Sequence, residues 1–262
     1  MYKESISSNN KKFSLHYTIK CSGQKRVRFR ISQAGKQNSD YVNREMTIND
    51  SRKIFVNFPV TPKELVLTIT NLSDPTDKDF QTTQIQTPLQ DFNIWINQDT
   101  KDFLSLAIPF CKVSGFETAT GNGRIFTNDN KKFVIKYFDI IRDFKANRVL
   151  NTPARIGHKS GRIEVSKAKF DKYTIPMRMA ILLHEYSHVY RNPQIGLEIN
   201  DEIGADINGL YIYLGLGFSK IDAICVYANV FLKAQTKGNV ERMRKIMDYI
   251  AKFENEDFAY RN

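Results

Sequence analysis

The first hundred residues alternate between apolar and polar side chains along short segments. The clearest segments are FSLHYTIK at 13–20 and KRVRFRIS at 25–32. Side chains at every second position of a β-strand share a face, so this period predicts strands with one buried face. Further segments of this kind lie at 53–60, 64–70, 83–89 and 91–97, and polar turn clusters separate them. Short strands joined by polar turns predict an antiparallel β-sandwich over residues 1–100.

From residue 101 onward the pattern changes. Residues 101–114 predict a helix interrupted at Pro109, 123–141 a hairpin, and 154–166 a strand pair around His158 and Gly161. Four helices are then predicted, near 176–190, 199–214, 220–233 and 240–253. The chain is therefore expected to be α+β. We place the domain boundary near 98–102, with a second domain of small sheet and helices at 101–262.

Composition limits the class of protein. The chain has 262 residues, 41% of them apolar, and a formal net charge of +11. The charge favours acidic partners, nucleic acid among them, without identifying one. An arginine stripe (Arg26, Arg28, Arg30) fits a phosphate-binding surface or, preferably, a solvated strand face. We find no secretory signal, no apolar run long enough to span a membrane, and no disulfide pattern in three scattered cysteines.

The segment His184-Glu185-Tyr186-Ser187-His188 carries the chemistry. Residues four apart share a helix face, so His184 and His188 can direct two imidazoles at one ion, and zinc suits such ligands. Glu185 would act as the general base on a water bound to that ion. A packing role for the histidines is the alternative. The chain has four histidines, two of them at this spacing in an almost wholly apolar helix, and this favours the metal site.

The next helix offers a third ligand. Glu202 and Asp206 share a helix face, and the small residues Gly204 and Ala205 would let this helix approach the first. We predict Glu202 as the third zinc ligand and Asp206 as the acceptor for a ligand histidine N–H. Two weaker rival ligands remain open, Glu198 and Asp201.

These residues resemble the gluzincin branch of the zincin metallopeptidases, whose pattern is H-E-x-x-H followed by E-x-x-x-D. The resemblance covers about residues 120–215. It implies zinc bound by His184, His188 and Glu202, water activation by Glu185, and support of a histidine by Asp206. The activity implied is hydrolysis of peptide bonds in a protein or peptide substrate.

Zincins also bind the substrate along an edge strand that precedes the active helix. The resemblance assigns this role to residues 161–165, with Gly161, Arg162 and Ile163 as candidate substrate-binding residues. The residue that would stabilise the oxyanion stays open among four candidates: Tyr211, Tyr213, His158 and Arg155.

A second resemblance is one of layout and composition. A β-sandwich joined to a zincin-like domain, in a Lys-, Asn- and Ile-rich chain, is similar to ring or tail proteins in the virions of crAss-like tailed phages. It implies an alternative function in virion assembly. The protein would form a homo-oligomeric ring beside neighbouring virion proteins, with structural zinc or with proteolysis limited to assembly or infection. The expected location is cytoplasmic or virion-associated.

Overall fold

The computed structural model describes residues 1–89, 94–143, 146–192, 201–232, 234 and 236–255, without the side chains of 201, 254 and 255. The chain divides into two compact units, Met1–Gln90 and Asp91–Asn262. The division falls before the boundary at 98–102 that the sequence suggested. The predicted α+β class is confirmed, with an antiparallel sheet in the first unit and helices in the second. None of the helices in the described ranges is both long and apolar enough to cross a membrane.

Five antiparallel strands form the first unit. They are β1 (Tyr2–Ser7), β2 (Phe13–Gln33), β3 (Asp40–Phe58), β4 (Glu64–Asn71) and β5 (Gln81–Pro88). The order is β1-β4-β2-β3, and β5 pairs with the first half of β2. The strands predicted at 13–20, 25–32 and 64–70 lie within these elements, and those predicted at 53–60 and 83–89 run one or two residues past the ends of β3 and β5. Of the strand predicted at 91–97, residues 91–93 lie outside the described residues and 94–97 form no strand.

The long strand β2 is continuous through a register shift between Lys20 and Gln24. Gly23 adopts a positive φ of 65° there and donates its N–H to Asp50 at 3.0 Å. Bulges bend a sheet, and glycine tolerates this conformation without strain. Ring contacts join the two halves of the sheet, with Tyr17 and Phe29 5.8 Å apart between centroids. The strands therefore form one sheet whose halves face each other, and the two-sheet sandwich stays a prediction.

The arginine stripe is largely neutralised within its own sheet. Arg26 and Arg28 both pair with Glu45, at 2.9 and 2.6 Å, and Arg30 pairs with Asp40 at 2.7 Å. Exposed pairs of this kind contribute little to stability, but they reduce the charge available to a ligand. This favours the solvated strand face over a phosphate-binding surface.

A four-stranded sheet, a two-stranded sheet and the helices form the described part of the second unit. The strands are β6 (Arg124–Thr127), β7 (Val134–Phe138), β8 (Arg142–Asp143), β9 (Arg148–Val149), β10 (Ala154–Ile156) and β11 (Ile163–Ser166), of which β8 and β9 form the two-stranded sheet. The helices are α1 (Gln98–Val113), α2 (Lys167–Phe170), α3 (Ile175–Ser187), α4 (Asp201–Gly215), α5 (Lys220–Val226), a π-helical turn (Tyr227–Phe231) and α6 (Lys237–Asn255). The predicted hairpin at 123–141 and strand pair at 154–166 are both confirmed, as β6–β7 and β10–β11.

Two details of this unit correct the sequence analysis. Helix α1 continues through Pro109, because this residue and Ser105 lie on the exposed face, where the carbonyl left without its N–H partner meets water. The four-stranded sheet has the order β10-β11-β7-β6. Ile163 thus belongs to an interior strand, paired with Ile156 on one side and Ile135 on the other. The edge strand nearest α3 is β10.

Helix α3 is the central element of the second unit. Thr174 caps its first turn by accepting the N–H of Met177, and Pro176 stands where a missing N–H costs nothing. Every residue of α3 except Met177 is buried. The helix packs against α1, α4, α5, β10 and β11, so its side chains are held from all sides.

Arg178 is completely buried on α3 and ties two other helices to it. Its guanidinium donates to the carbonyl of Phe170 at 3.0 Å and to that of Cys111 at 3.3 Å. These carbonyls lie in the last turns of α2 and α1, where helix carbonyls lack partners and a cation is favourable. The buried positive charge of Arg178 is therefore stabilised by the carbonyl groups at the C-terminal ends of two helices.

We expect Arg178→Met to lower the free energy of unfolding of the second unit by about 2–4 kcal/mol, because buried carbonyls lose their donors. Denaturant unfolding followed by fluorescence measures this, since Trp95, the one tryptophan in the chain, lies in this unit. Lys172→Met removes the same charge from an exposed position and should change stability by less than about 0.5 kcal/mol. Equal losses in the two variants would contradict the role given to Arg178.

Candidate metal centre

Helix α3 directs two imidazoles at one point. His184 and His188 lie one turn apart near its C-terminal end, and His184 is only 3% exposed. Their Nε2 atoms are 3.2 Å apart. The predicted pair of histidines therefore faces a common site.

Helix α4 brings a carboxylate to the same point. Glu202 has its oxygens 3.8 Å from Nε2 of His184 and 3.9 Å from Nε2 of His188. One ligand atom from each of the three residues lies within 4.8 Å of the others, an arrangement that no other trio of histidine, cysteine or acidic residues shares in the described ranges. Of the rival ligands, Glu198 and the side chain of Asp201 lie outside the described residues.

A glycine allows α3 and α4 to approach this closely. A Cβ at Gly209 would lie 3.0 Å from the backbone nitrogen of His184 and 3.1 Å from the carbonyl oxygen of Leu183. The sequence analysis gave this role to Gly204 and Ala205, but the nearest atoms to a Cβ at Gly204 belong to the side chain of Arg191, at 3.5 Å. The close contact is one helical turn further along, because the helices converge beside His184 and not beside Glu202.

The three side chains fit a zinc ion. Two imidazole nitrogens bound to tetrahedral zinc at about 2.0–2.1 Å lie about 3.3 Å apart, close to the spacing of the two Nε2 atoms. The Glu202 oxygen completes a set of two nitrogens and one oxygen, a donor combination that zinc accepts while keeping a fourth position for water. A small inward movement of the half-exposed Glu202 side chain would bring its oxygen to bonding distance.

Asp206 orients the first histidine. Its carboxylate lies 2.9 Å from Nδ1 of His184. An Nδ1–H that faces a carboxylate leaves the Nε2 lone pair to face the ion, so Asp206 selects the tautomer that can bind metal. The contact is close in distance, although its angle is not that of a good hydrogen bond, and Nδ1 of His188 is buried without a partner among the described residues.

Sequence reasoning missed Arg242 on α6. Its Nε and Nη2 lie 2.7 and 2.9 Å from the two oxygens of Asp206, and Nη2 is also 3.0 Å from Glu202. A bidentate guanidinium both fixes a carboxylate and offsets its charge. Nothing in the sequence marks Arg242, which stands among other basic residues more than thirty positions after Asp206.

The π-helical turn after α5 contributes two aromatic residues that were also missed. Tyr227 donates its hydroxyl to the backbone carbonyl of Asp206 at 2.9 Å. Phe231 packs on His184, with ring centroids 4.1 Å apart. Short π-helical turns are common at functional sites, and this one places Phe231 on a ligand histidine and Tyr227 on the backbone of Asp206.

The two inner residues of the H-E-x-x-H segment hold the scaffold. The Tyr186 hydroxyl lies 3.1 Å from Oγ1 of Thr100, in the first turn of α1. The Ser187 hydroxyl accepts from the side-chain amide of Asn208 on α4 at 2.7 Å. Asn208 also accepts the N–H of Asn192 at 3.0 Å, which secures the chain just beyond α3. The outer residues of the segment therefore face the metal site, and the inner residues bond to the neighbouring helices.

Glu185 is 7% exposed and lies beside the edge strand β10. Burial raises the pKa of its carboxyl, and the negative charge of Glu202 also raises it. The neighbouring imidazole of His184 and the N–H donated by Ile156 offset part of this increase. A carboxylate with a raised pKa is a stronger proton acceptor, as a general base working near neutral pH requires.

The two histidines differ electrostatically. Burial lowers the pKa of His184, but the hydrogen bond and charge of Asp206, together with Glu185 and Glu202, raise it above its usual value overall. For His188, burial and the neighbouring charge of His184 lower the pKa. The acidic side chains therefore create a negative potential at His184. The same potential would favour a cation bound beside it.

On the edge strand β10, the backbone groups of every second residue point away from β11, and the N–H of Ile156 among them donates to Glu185. Gly157 donates its N–H to Arg162 at 2.9 Å, and Pro153 accepts from Ser166 at 2.9 Å. Odd-numbered residues thus pair with β11, and the backbone groups of Ala154 and Ile156 point to the open edge.

The substrate-binding assignment of Gly161, Arg162 and Ile163 as an edge strand is wrong, since Gly161 and Arg162 lie in the turn before β11 and Ile163 starts an interior strand.

Of the four candidates for oxyanion stabilisation, one lies at the cluster. The ring of His158 is 5.9 Å from that of His188 between centroids. Tyr211 hydrogen-bonds with the backbone of Trp95, Tyr213 stacks on Phe218 in the core, and Arg155 pairs with Glu164.

Comparison with known proteins gives no neighbour for this chain: no family model, no curated protein and no solved structure matches it. The residues and their geometry are therefore the whole basis for a function.

We expect Gly209→Ala to weaken zinc binding by about tenfold or more, because its Cβ pushes on the backbone of His184 and separates the ligand helices. Gly204→Ala is the matched control, since its Cβ meets ordinary contact distances and alanine stabilises a helix by up to about 1 kcal/mol. Competition with a zinc-binding dye measures both affinities. The same affinity in both variants would show that the close approach at Gly209 does not govern the site.

Proposed function

We propose that the protein is a zinc-dependent metallopeptidase. The observation that carries the proposal is the convergence of His184, His188 and Glu202 on one point, with the two Nε2 atoms 3.2 Å apart. The buried base Glu185 lies beside this point, and the carboxylate of Asp206 contacts Nδ1 of His184 on the side opposite the metal site. A purely structural zinc site would have no use for a buried carboxylate aimed at an open strand edge.

Each residue has a defined task in peptide hydrolysis. A zinc ion held by His184, His188 and Glu202 would supply a Lewis acid that acidifies water and polarises a peptide carbonyl. Glu185 accepts a proton from the attacking water and passes it to the leaving amine nitrogen, while the water oxygen joins the carbonyl carbon and the C–N bond breaks. Asp206 and Arg242 keep His184 in the required orientation.

The substrate is proposed to bind along β10. An extended peptide that pairs with the edge at Ala154 and at the carbonyl of Ile156 would pass beside Glu185, whose carboxylate accepts the Ile156 N–H. Main-chain pairing of this kind is a common way to bind a peptide with little dependence on its sequence. It replaces the assignment of this role to residues 161–165.

We expect Glu185→Gln to lower peptidase turnover at least about 100-fold, because the amide cannot accept the proton. Zinc content should stay near about one ion per chain, since the ligands are untouched. Mass spectrometry of cleaved peptides and metal analysis measure the two effects. Glu64→Gln makes the same change at an exposed site in the first unit and should leave both values unchanged. Full turnover in Glu185→Gln, or no zinc in the wild-type protein, would refute the proposal.

One observation favours the alternative role in an assembly. Phe55, His16 and Ile85 lie opposite one another on β3, β2 and β5, and Phe55 and Ile85 are 55% and 64% exposed. An exposed apolar row on a sheet is typical of a contact surface. In this reading the row contacts another copy of the chain.

If assembly is the function, the wild-type chain should form a defined oligomer that the double variant Phe55→Ser, Ile85→Ser converts to monomer. Light scattering after size exclusion measures the mass, and Ile125→Ser, also at an exposed position, is the control. A monomeric wild-type chain over a wide concentration range would count against the assembly role.

A further inference from the structure

The turn between β10 and β11, residues 157–162, lies against the metal centre. His158 contacts His188, with ring centroids 5.9 Å apart. At Gly161 the backbone has a φ of 63°, and a Cβ there would lie 2.6 Å from the hydroxyl oxygen of Tyr190, just beyond the end of α3. Two separate contacts therefore hold this turn beside the last turn of α3.

The turn carries two cations without partners. Among the described residues, the side chains of Lys159 and Arg162 make no hydrogen bond or ion pair. Several other cations of the second unit pair with carboxylates: Arg155 with Glu164, Lys167 with Asp171, Arg124 with Glu117, and Arg242 with Asp206. The unpaired charges of Lys159 and Arg162 are thus available to a ligand.

A peptide bound along β10 would bring particular residues to this turn. A peptide that pairs antiparallel with β10, as β11 does on the other side, would run from the turn toward Ala154. Glu185 marks the cleaved bond near Ile156. Substrate residues on the amino-terminal side of that bond would therefore meet Lys159 and Arg162.

We propose that the site selects peptides with an aspartate or glutamate on the amino-terminal side of the cleaved bond, read by Lys159 and Arg162. This inference rests on the proposed peptidase function and specifies its substrate class. The cations are at the surface, so pairing with a substrate carboxylate should change affinity by about tenfold at low salt. High salt should reduce that preference.

Nucleic acid is the competing anionic ligand. The structure favours a peptide, because the open edge of β10 offers main-chain donors and acceptors that a peptide backbone matches. A phosphate backbone would use the cations and leave the edge unpaired. An oligonucleotide is therefore one of the probes that test this inference.

Binding is measured on zinc-loaded Glu185→Gln by fluorescence anisotropy, so that no cleavage is needed. The probes are a labelled peptide set in which one amino-side position is Glu, Gln or Lys, and a labelled single-stranded oligonucleotide. We expect the Glu peptide to bind about tenfold more tightly than the Gln peptide, and the order to reverse toward Lys when Lys159→Glu and Arg162→Glu are added. The variant Lys3→Glu, Lys20→Glu has the same charge change at exposed sites of the first unit and should keep the wild-type order.

Equal binding of the Glu and Gln peptides would overturn the inference, as would a preference that survives in the Lys159→Glu, Arg162→Glu variant. Oligonucleotide binding that depends on these two residues, with no difference among the peptides, would also overturn it and assign the turn to nucleic acid. Circular dichroism and zinc content confirm that each variant is folded. Cleavage by the wild-type chain is scored separately: its absence would refute the peptidase function, whereas the peptide binding order alone decides the role of the turn.

Discussion

The close contact between α3 and α4 is the constraint on which the second unit depends. At Gly209 the two helices are so near that a methyl group would lie only 3.0 Å from the backbone nitrogen of His184, tighter than ordinary packing allows. This approach places Glu202 and Asp206 on the side of α4 that faces the histidines. Asn208, the neighbour of Gly209, then bonds to Ser187 and to the chain beyond α3. One helix crossing therefore fixes both the ligands and the orientation of the helix end that carries them.

Charge balance is the second requirement. Glu185, Glu202 and Asp206 gather around two imidazoles, and Glu185 and Asp206 are almost fully buried. Buried carboxylates are costly unless they are paired, and Arg242 pairs with Asp206 and Glu202 while the N–H of Ile156 serves Glu185. The cluster still holds more negative than positive charge. A divalent cation between the histidines and Glu202 would offset that excess and stabilise the arrangement.

Local sequence patterns were enough to predict the helices and strands. The strand that lies beside the site depends on the order of strands in the sheet, which these patterns do not contain. The period of the apolar residues and the spacing of His184 and His188 were enough to predict α3, and the same spacing rule placed Glu202 and Asp206 on one face of α4. The same reasoning could not predict the strand order, because β11 pairs in parallel with β7 across an intervening segment. It therefore gave the edge to residues 161–165 instead of β10. Arg242 was beyond reach for a similar reason, since an arginine on a basic helix has no local sign of a buried partner.

The inner residues of the H-E-x-x-H segment explain why the site can be both precise and buried. Tyr186 stacks on Phe103 with centroids 4.3 Å apart and reaches Thr100, so α1 fixes one side of the segment. Ser187 fixes the opposite side through Asn208 on α4. Because the segment is anchored to two helices, its histidines cannot turn away from the metal site unless core contacts break. The ligand geometry is therefore set largely by folding. Glu202 is the exception: it is half exposed and held mainly by Arg242, which makes it the ligand whose position depends most on the ion itself.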